Sequence, residues 1–331
     1  MDNESLMRML ESKPITLPIL DGFLVTNLKI KQYQNISCST SGGWDSDIMV
    51  DICATLDPEK KIRYVFFDTG IEYEATKKHL DYLEEKYGIT IERVRPKVPV
   101  PLAVRRSGVP FLSKLVSTYI GRLQAKGFQW ESGTFEELSE KYPGCVSALK
   151  WWCNAWGEKS RFNIERFKYL KEFIQANPPD FPISDKCCQY AKKNTAKDFE
   201  KANQCDVSFV GIRKSENGIR SSRLKNCFTP GEDHDNYRPI FWFTDEDKDL
   251  YDDLFNVEHS DCYAVYGLKR TGCAGCPFGS NFEDELKIIE EYEPKLFKAV
   301  NNIFGKSYDY TRRYREFKAN YKPENKTEGG R

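Results

Sequence analysis

The sequence predicts an α/β fold, a parallel sheet flanked by helices, with a helical insertion and a cysteine-bearing C-terminal part. Three observations carry this. Through the first third of the chain, apolar runs of strand length alternate with amphipathic stretches of helix length. A glycine turn lies where the first strand should meet its helix, and a strand-like run returns at 207–212 after a long aromatic-rich stretch. Strands and helices alternating at this spacing require parallel strands joined by crossovers. Ligands of such sheets bind at the carboxyl ends of the strands.

Taken in order, Ile36 to Thr40 is a short strand ending in small polar residues. It runs into Ser41-Gly42-Gly43-Trp44-Asp45-Ser46, and Ser46 to Leu56 is a helix with Ile48, Met49, Ile52 and Cys53 on its inner face. Ile62 to Phe67 is nearly continuous apolar sequence, as expected of a strand covered on both faces. Ala75 to Tyr87 places Leu80, Leu83 and Tyr87 on one stripe, with Gly88 suited to its C-terminal cap. Ile89 to Val94 is the third strand. After Arg95 the pattern changes: 96–101 is broken by prolines, and 111–182 carries Trp130, Trp151, Trp152 and Trp156. The simplest role of these tryptophans is to pack a second, helical core. Val207 to Ile212 is again a strand, and Glu283 to Phe304 is helical. The resulting division is 1–95 as the first half of an α/β domain and 96–182 as a helical insertion or lid. Residues 183–317 form the second half, and 318–331 a charged, disordered tail.

Composition narrows the function classes. The chain has 331 residues, and its 50 Lys and Arg balance 50 Asp and Glu. A long nucleic-acid footprint would show as a basic excess, so a nucleic-acid partner has no support from charge. No apolar run reaches membrane-span length and Met1 to Lys13 is polar, so a cytoplasmic location is expected. In that compartment the 11 cysteines are not expected to form structural disulfides, and a Cys-Cys with a Cys-x-x-Cys points to metal or redox chemistry. The three histidines, His79, His234 and His259, argue against a histidine-based catalytic machine.

The turn Ser41 to Ser46 has the makings of a phosphate site. Two glycines let the backbone approach an anion, and the following helix start directs N–H groups and a positive dipole toward it. Its S-G-G-x-D-S form resembles the pyrophosphate loop (PP-loop) of the adenine-nucleotide α-hydrolase-like superfamily, a Rossmann-related fold. That superfamily includes the ATP pyrophosphatases and the phosphoadenosine phosphosulfate (PAPS) reductases. Val65-Phe66-Phe67-Asp68-Thr69-Gly70 is similar to the strand-end Asp-Thr-Gly of the PAPS reductase branch, which implies that Asp68 and Thr69 lie beside the nucleotide. Many relatives carry lysine where this chain has Trp44, whose indole either stacks on a base or simply packs. Val210-Gly211-Ile212-Arg213 with Arg220 and Arg223 resembles the segment whose arginines grip the sulfonucleotide, although Ser215 and Glu216 stand in reversed order. Tyr237 to Asp247 resembles a further stretch of the family; Thr244 as N-cap with Asp245 to Asp247 in the first turn accounts for it structurally.

Cys187-Cys188 with Cys273-Ala274-Gly275-Cys276 is the CC…CxxC pattern of the [4Fe–4S]-carrying reductases, and it implies those four cysteines as cluster ligands. Adjacent cysteines suit several iron corners better than one tetrahedral zinc, the main rival. The assimilatory reductases attack with a cysteine in a C-terminal tail, whereas no cysteine follows Cys276 here. Cys145, Cys153, Cys227 and Cys262 are the remaining substitutes, and no catalytic residue is assigned.

The resemblance implies binding of ATP, or of adenosine phosphosulfate (APS) or PAPS, beside the cluster, with sulfur transfer or nucleotide cleavage as the reaction. Mg²⁺ would accompany ATP, and a sulfur or electron donor protein would be a partner; a homo-oligomer is left open. The other readings are a non-catalytic nucleotide-binding regulator and a subunit of a DNA-modifying sulfurtransferase.

Overall fold

The computed structural model describes residues 1–216, 224–232, 234–279 and 281–321. The chain divides into two compact units. The first comprises 1–99, 190–274 and 287–296; the second comprises 100–189, 275–286 and 297–331.

The first unit is built on a six-stranded, mostly parallel sheet in the order β3-β2-β1-β4-β6-β5. The strands are β1 (Ile36–Thr40), β2 (Ile62–Phe67), β3 (Ile91–Val94), β4 (Val207–Val210), β5 (Phe228–Thr229) and β6 (Asp235–Tyr237). β1 pairs in parallel with both β2 and β4, so the first strand of the motif is central. β3 and β6 extend the sheet in parallel, and β5 closes one edge antiparallel to β6. The short strands β5 and β6 have no sequence signature of their own. They are two and three residues long, too short for an alternation to register.

Four helices of this unit matter most: α1 (Asn3–Glu11), α2 (Leu17–Gln32), α3 (Trp44–Leu56) and α4 (Glu74–Tyr87). Ile48, Met49, Ile52 and Cys53 of α3 are fully buried, as its periodicity predicts, and join Phe23 of α2 and Leu80 of α4 in one core. α3 begins two residues earlier than the sequence pattern, because Trp44 and Asp45 already have helical geometry behind the Gly43 cap. α4 ends on Gly88 at φ +58°, the left-handed cap that glycine adopts without steric cost. β3 starts at Ile91, two residues later than expected. α1 and α2 went unpredicted. Asp2 and Thr16 cap them, and Leu6, Leu10, Ile19 and Phe23 bury their inner faces.

The second unit is helical. Trp151 and Trp152 are fully buried, and Trp152 donates its indole N–H to the Glu131 carbonyl at 2.8 Å while Phe128 and Trp130 meet its ring edge-on. The tryptophans there pack a core, except Trp156, which is exposed. The segment expected as one helix over 283–304 is two, Phe282–Tyr292 and Pro294–Asn320. Proline has no N–H to donate and clashes with the preceding turn, so Pro294 starts a helix rather than continuing one. The second helix runs through Asn320, so Lys318 to Asn320 are helical and not the start of a tail. It belongs with 100–189: Tyr310 packs on Phe111 and Phe173 and donates to the Asn177 carbonyl at 2.7 Å.

Candidate functional site

The Ser41–Ser46 turn joins the carboxyl end of β1 to the first turn of α3. Gly42 sits at φ +61°, and a Cβ there would come within 2.7 Å of the Thr76 methyl, so glycine is required on both counts. Ser46 Oγ is the hub of the turn. It accepts from the amides of Ser41 (3.2 Å) and Gly43 (3.0 Å) and donates to the Gly43 carbonyl at 2.7 Å. The Gly42 amide donates to Thr40 Oγ1, and the Trp44 amide to the Tyr263 hydroxyl at 3.0 Å. Hydroxyl oxygens thus hold four successive amides in place, and an incoming phosphate oxygen would compete for the same donors. Ser41 is exposed, while Gly42, Gly43 and Ser46 are buried. β4 comes close behind the turn: a Cβ on Gly211 would lie 3.2 Å from the Asp45 carbonyl oxygen and from Ser46 Cα.

Asp45 is the charged centre. Its Oδ1 accepts from Arg213 Nε at 2.9 Å and lies 3.0 Å from Lys248 Nζ. Arg213 is almost fully buried; its Nη1 donates to Ser215 Oγ at 2.8 Å and pairs with Asp245 at 2.9 Å. The arginine expected to grip a phosphate therefore braces the carboxylate of the turn. Ser215 serves that brace, and Glu216 accepts from the Arg213 amide at 3.0 Å, so both members of the reversed pair have structural partners. Arg220 and Arg223 lie outside the described residues.

Trp44 packs. Its indole N–H donates to Asp252 Oδ2 at 2.6 Å, His259 lies against the ring at 4.6 Å between centroids, and Lys248 Nζ sits 4.7 Å above it. Below it runs a largely buried carboxylate–imidazole–carboxylate chain. His259 bonds Asp47 Oδ2 through Nδ1 (2.9 Å) and Asp252 Oδ2 through Nε2 (3.0 Å). Burial pulls the His259 pKa down, but the two carboxylates outweigh it and raise the pKa to about 9. His79 Nε2 lies 3.0 Å from the same Asp47 oxygen, although the contact lacks hydrogen-bond geometry.

Asp68 follows β2 and accepts from the Gly70 amide at 2.9 Å. It lines, with Lys77, Arg95, Pro96 and Pro99, a cleft of about 350 Å³. Thr69 is turned inward: its hydroxyl donates to buried Glu72 at 2.5 Å and lies 3.5 Å from Cys273 Sγ. Burial pushes the Glu72 carboxyl above its usual range, against Lys192 and the Thr69 hydrogen bonds.

Of the four cysteines of the CC…CxxC pattern, Cys273 falls in the first unit. Cys187 and Cys188, on the turn Lys186–Cys188, and Cys276 fall in the second. Four thiols are the donor type that a thiolate-bound iron centre uses. Among the described residues, no group of three or more His, Cys, Asp or Glu side chains is arranged to hold a metal ion. The alternative thiols Cys145, Cys153, Cys227 and Cys262 are all pushed up by burial, which lowers the fraction present as reactive thiolate at neutral pH. Among the described residues no helix is long and apolar enough to cross a membrane.

Lys248, Asp252, His259 and Tyr263 were missed by sequence reasoning. Tyr263 contacts the turn across 219 positions of sequence, and no motif links the two. The segment holding Lys248 has a visible signature, but it is that of a capped helix, which accounts for the residues without a site.

Residues 35–111 match the family model "Phosphoadenosine phosphosulfate reductase domain". An uncharacterized protein of Methanocaldococcus jannaschii is 26% identical over 281 residues, which is 84% of this chain. The chain spans only 43% of that relative's length. Among solved structures, PAPS reductase from Candida auris in a phosphate complex is similar at 13% identity and a TM-score of 0.43, covering 82% of this chain and 96% of its own. The U34-tRNA thiolase from Methanococcus maripaludis with its [4Fe–4S] cluster gives 12% and 0.36, covering 93% and 82%. The NH3-dependent NAD synthetase from Campylobacter jejuni in complex with nitrate gives 10% and 0.36, covering 93% and 96%. The matched stretch 35–111 holds β1, the glycine turn, α3, β2, α4 and β3, and so carries a PAPS reductase domain signature on the sheet described above.

Proposed function

We propose that this chain binds the phosphates of an adenine nucleotide, ATP or APS/PAPS, on the turn Ser41–Ser46, and uses it in sulfur transfer or nucleotide cleavage. The observation that carries this reading is the turn itself. It closes the central strand of a parallel sheet, keeps Gly42 in a conformation that side chains resist, and lines up four amides at the start of α3. The PAPS reductase match over 35–111 supports the nucleotide class.

In the ATP version, a substrate oxygen bonds to the α-phosphorus, the α–β bridging bond breaks, and pyrophosphate leaves onto the turn; Mg²⁺, when bound, would neutralise part of its charge. A sulfur donor then displaces AMP from the adenylated substrate. In the sulfonucleotide version, the same turn holds APS or PAPS for reduction with an external electron donor, which releases sulfite. A [4Fe–4S] cluster belongs to the same proposal, with Cys187, Cys188, Cys273 and Cys276 as the residues that would hold it; when bound, it would supply redox or sulfur-handling chemistry. The support for it is the donor type and the sequence pattern.

The test presents ATP, APS and PAPS separately to the purified protein and follows binding, pyrophosphate and sulfite. Binding with pyrophosphate release supports the ATP version, and sulfite release supports the sulfonucleotide version. Tight binding with neither product, in the presence of thiol and sulfide donors, favours the regulatory reading, to which the commitment of the Trp44 indole to Asp252 already lends weight. No binding of any of the three overturns the proposal.

A further inference from the structure

Resting on the nucleotide reading above, we propose that Lys248 is an anion-binding residue of the site, presenting its ammonium to the phosphates from the Asp245–Phe255 helix rather than from the turn itself. Its side chain is only 12% exposed, so its charge is largely withdrawn from water. Burying an ammonium is costly unless its hydrogen-bonding capacity is met. Three N–H bonds are available to it. Among the described residues, Asp45 Oδ1 is the one carboxylate oxygen in ion-pair range, and Arg213 already shares that oxygen.

The ammonium is also held, not merely near. The Trp44 ring lies beneath it at 4.7 Å, in the range where a cation is drawn to an aromatic face. That ring cannot turn freely, because its N–H is tied to Asp252 at 2.6 Å, and Asp252 is tied in turn to His259 at 3.0 Å. The backbone under Lys248 is set by a capping box, in which Thr244 Oγ1 accepts from the Asp247 amide at 3.2 Å and the Asp247 carboxylate accepts from the Thr244 amide at 2.8 Å. Trp44 and Asp45 are the first two residues of α3, so the arrangement fixes a cation against the first turn of that helix. Arg213 differs, since it spreads Nε and Nη1 over Asp45, Ser215 and Asp245. It stiffens the turn, and Lys248 is left to meet the ligand.

The test uses the full chain with two probes, inorganic pyrophosphate and adenosine, by titration calorimetry. Lys248→Met should weaken pyrophosphate at least about tenfold and leave adenosine unchanged, whereas Lys248→Arg should stay within about threefold of the parent, because only charge and donors are being read. Equal pyrophosphate affinity in the parent and in Lys248→Met overturns the role of Lys248 while leaving the nucleotide reading intact. A parent protein that binds neither pyrophosphate nor any of ATP, APS and PAPS overturns both. Should Lys248→Met fail to fold, Lys248→Arg and amine labelling of the parent decide: pyrophosphate must shield Lys248 from acetylation, and unchanged labelling rejects the assignment.

Discussion

His259 shows how a single residue can couple the candidate site to pH. Its ring bridges Asp47 on α3 and Asp252, with His79 of α4 facing the same Asp47 oxygen, and the two carboxylates hold its pKa near 9 despite burial. A group whose folded pKa lies above its unfolded value stabilises the protein fully below the unfolded pKa. That contribution is lost as pH rises through the folded one. The window here therefore runs from about 6.5 to about 9. Denaturant unfolding should show the parent losing about 3 kcal/mol across that window. His259→Gln should be less stable at pH 6 and show a flatter profile over the same range. Parallel profiles for the two proteins would remove His259 as the titrating group.

At the scale of the element, the Asp245–Phe255 helix is a short amphipathic piece whose start is fixed by side chains rather than by its core. Thr244 and Asp247 exchange hydrogen bonds at its N-terminus, and Asp247 also accepts from Thr16 at 2.6 Å, which ties the start of α2 to the same point. Thr244→Ala removes one acceptor from the first turn and should cost about 1 kcal/mol of stability, measured by thermal or denaturant unfolding. Since this turn carries Lys248, the same variant should also weaken pyrophosphate binding, by less than Lys248→Met does. A full loss of binding with no change in stability would contradict this account of the cap. The turn and α3 form the other decisive element. There, local sequence is enough: strand, two glycines, and a helix whose serine at 46 gathers the amides behind it.

For the molecule as a whole, the proposed cysteine-bound cluster is directly testable. Anaerobically purified protein should carry about four irons per chain and a broad charge-transfer absorption. Cys273→Ser or Cys276→Ser should remove both the metal and the colour. A colourless, zinc-loaded parent protein would end the iron–sulfur proposal without touching the nucleotide one. The two units differ in how they hold together. The first buries aliphatic side chains of α2, α3 and α4 in the core of its sheet, and the second packs aromatics, with Trp151, Trp152, Phe173 and Tyr310 at its centre.

What the sequence alone determined is the part whose causes are local. β1, β2, α3 and α4 were legible because apolar periodicity and glycine signals act within one or two turns of chain, and the phosphate turn was legible because strand, glycines and helix are consecutive. The tertiary structure decided what lies across from that turn. It turned Trp44 into a packed donor to Asp252, made Arg213 a brace, turned Thr69 inward onto Glu72, and brought Lys248, His259 and Tyr263 to residues some 200 positions away. Such contacts arise because burying charge forces each ion to find a partner, and the partner is chosen by the packing of helices on the sheet, which no local pattern encodes.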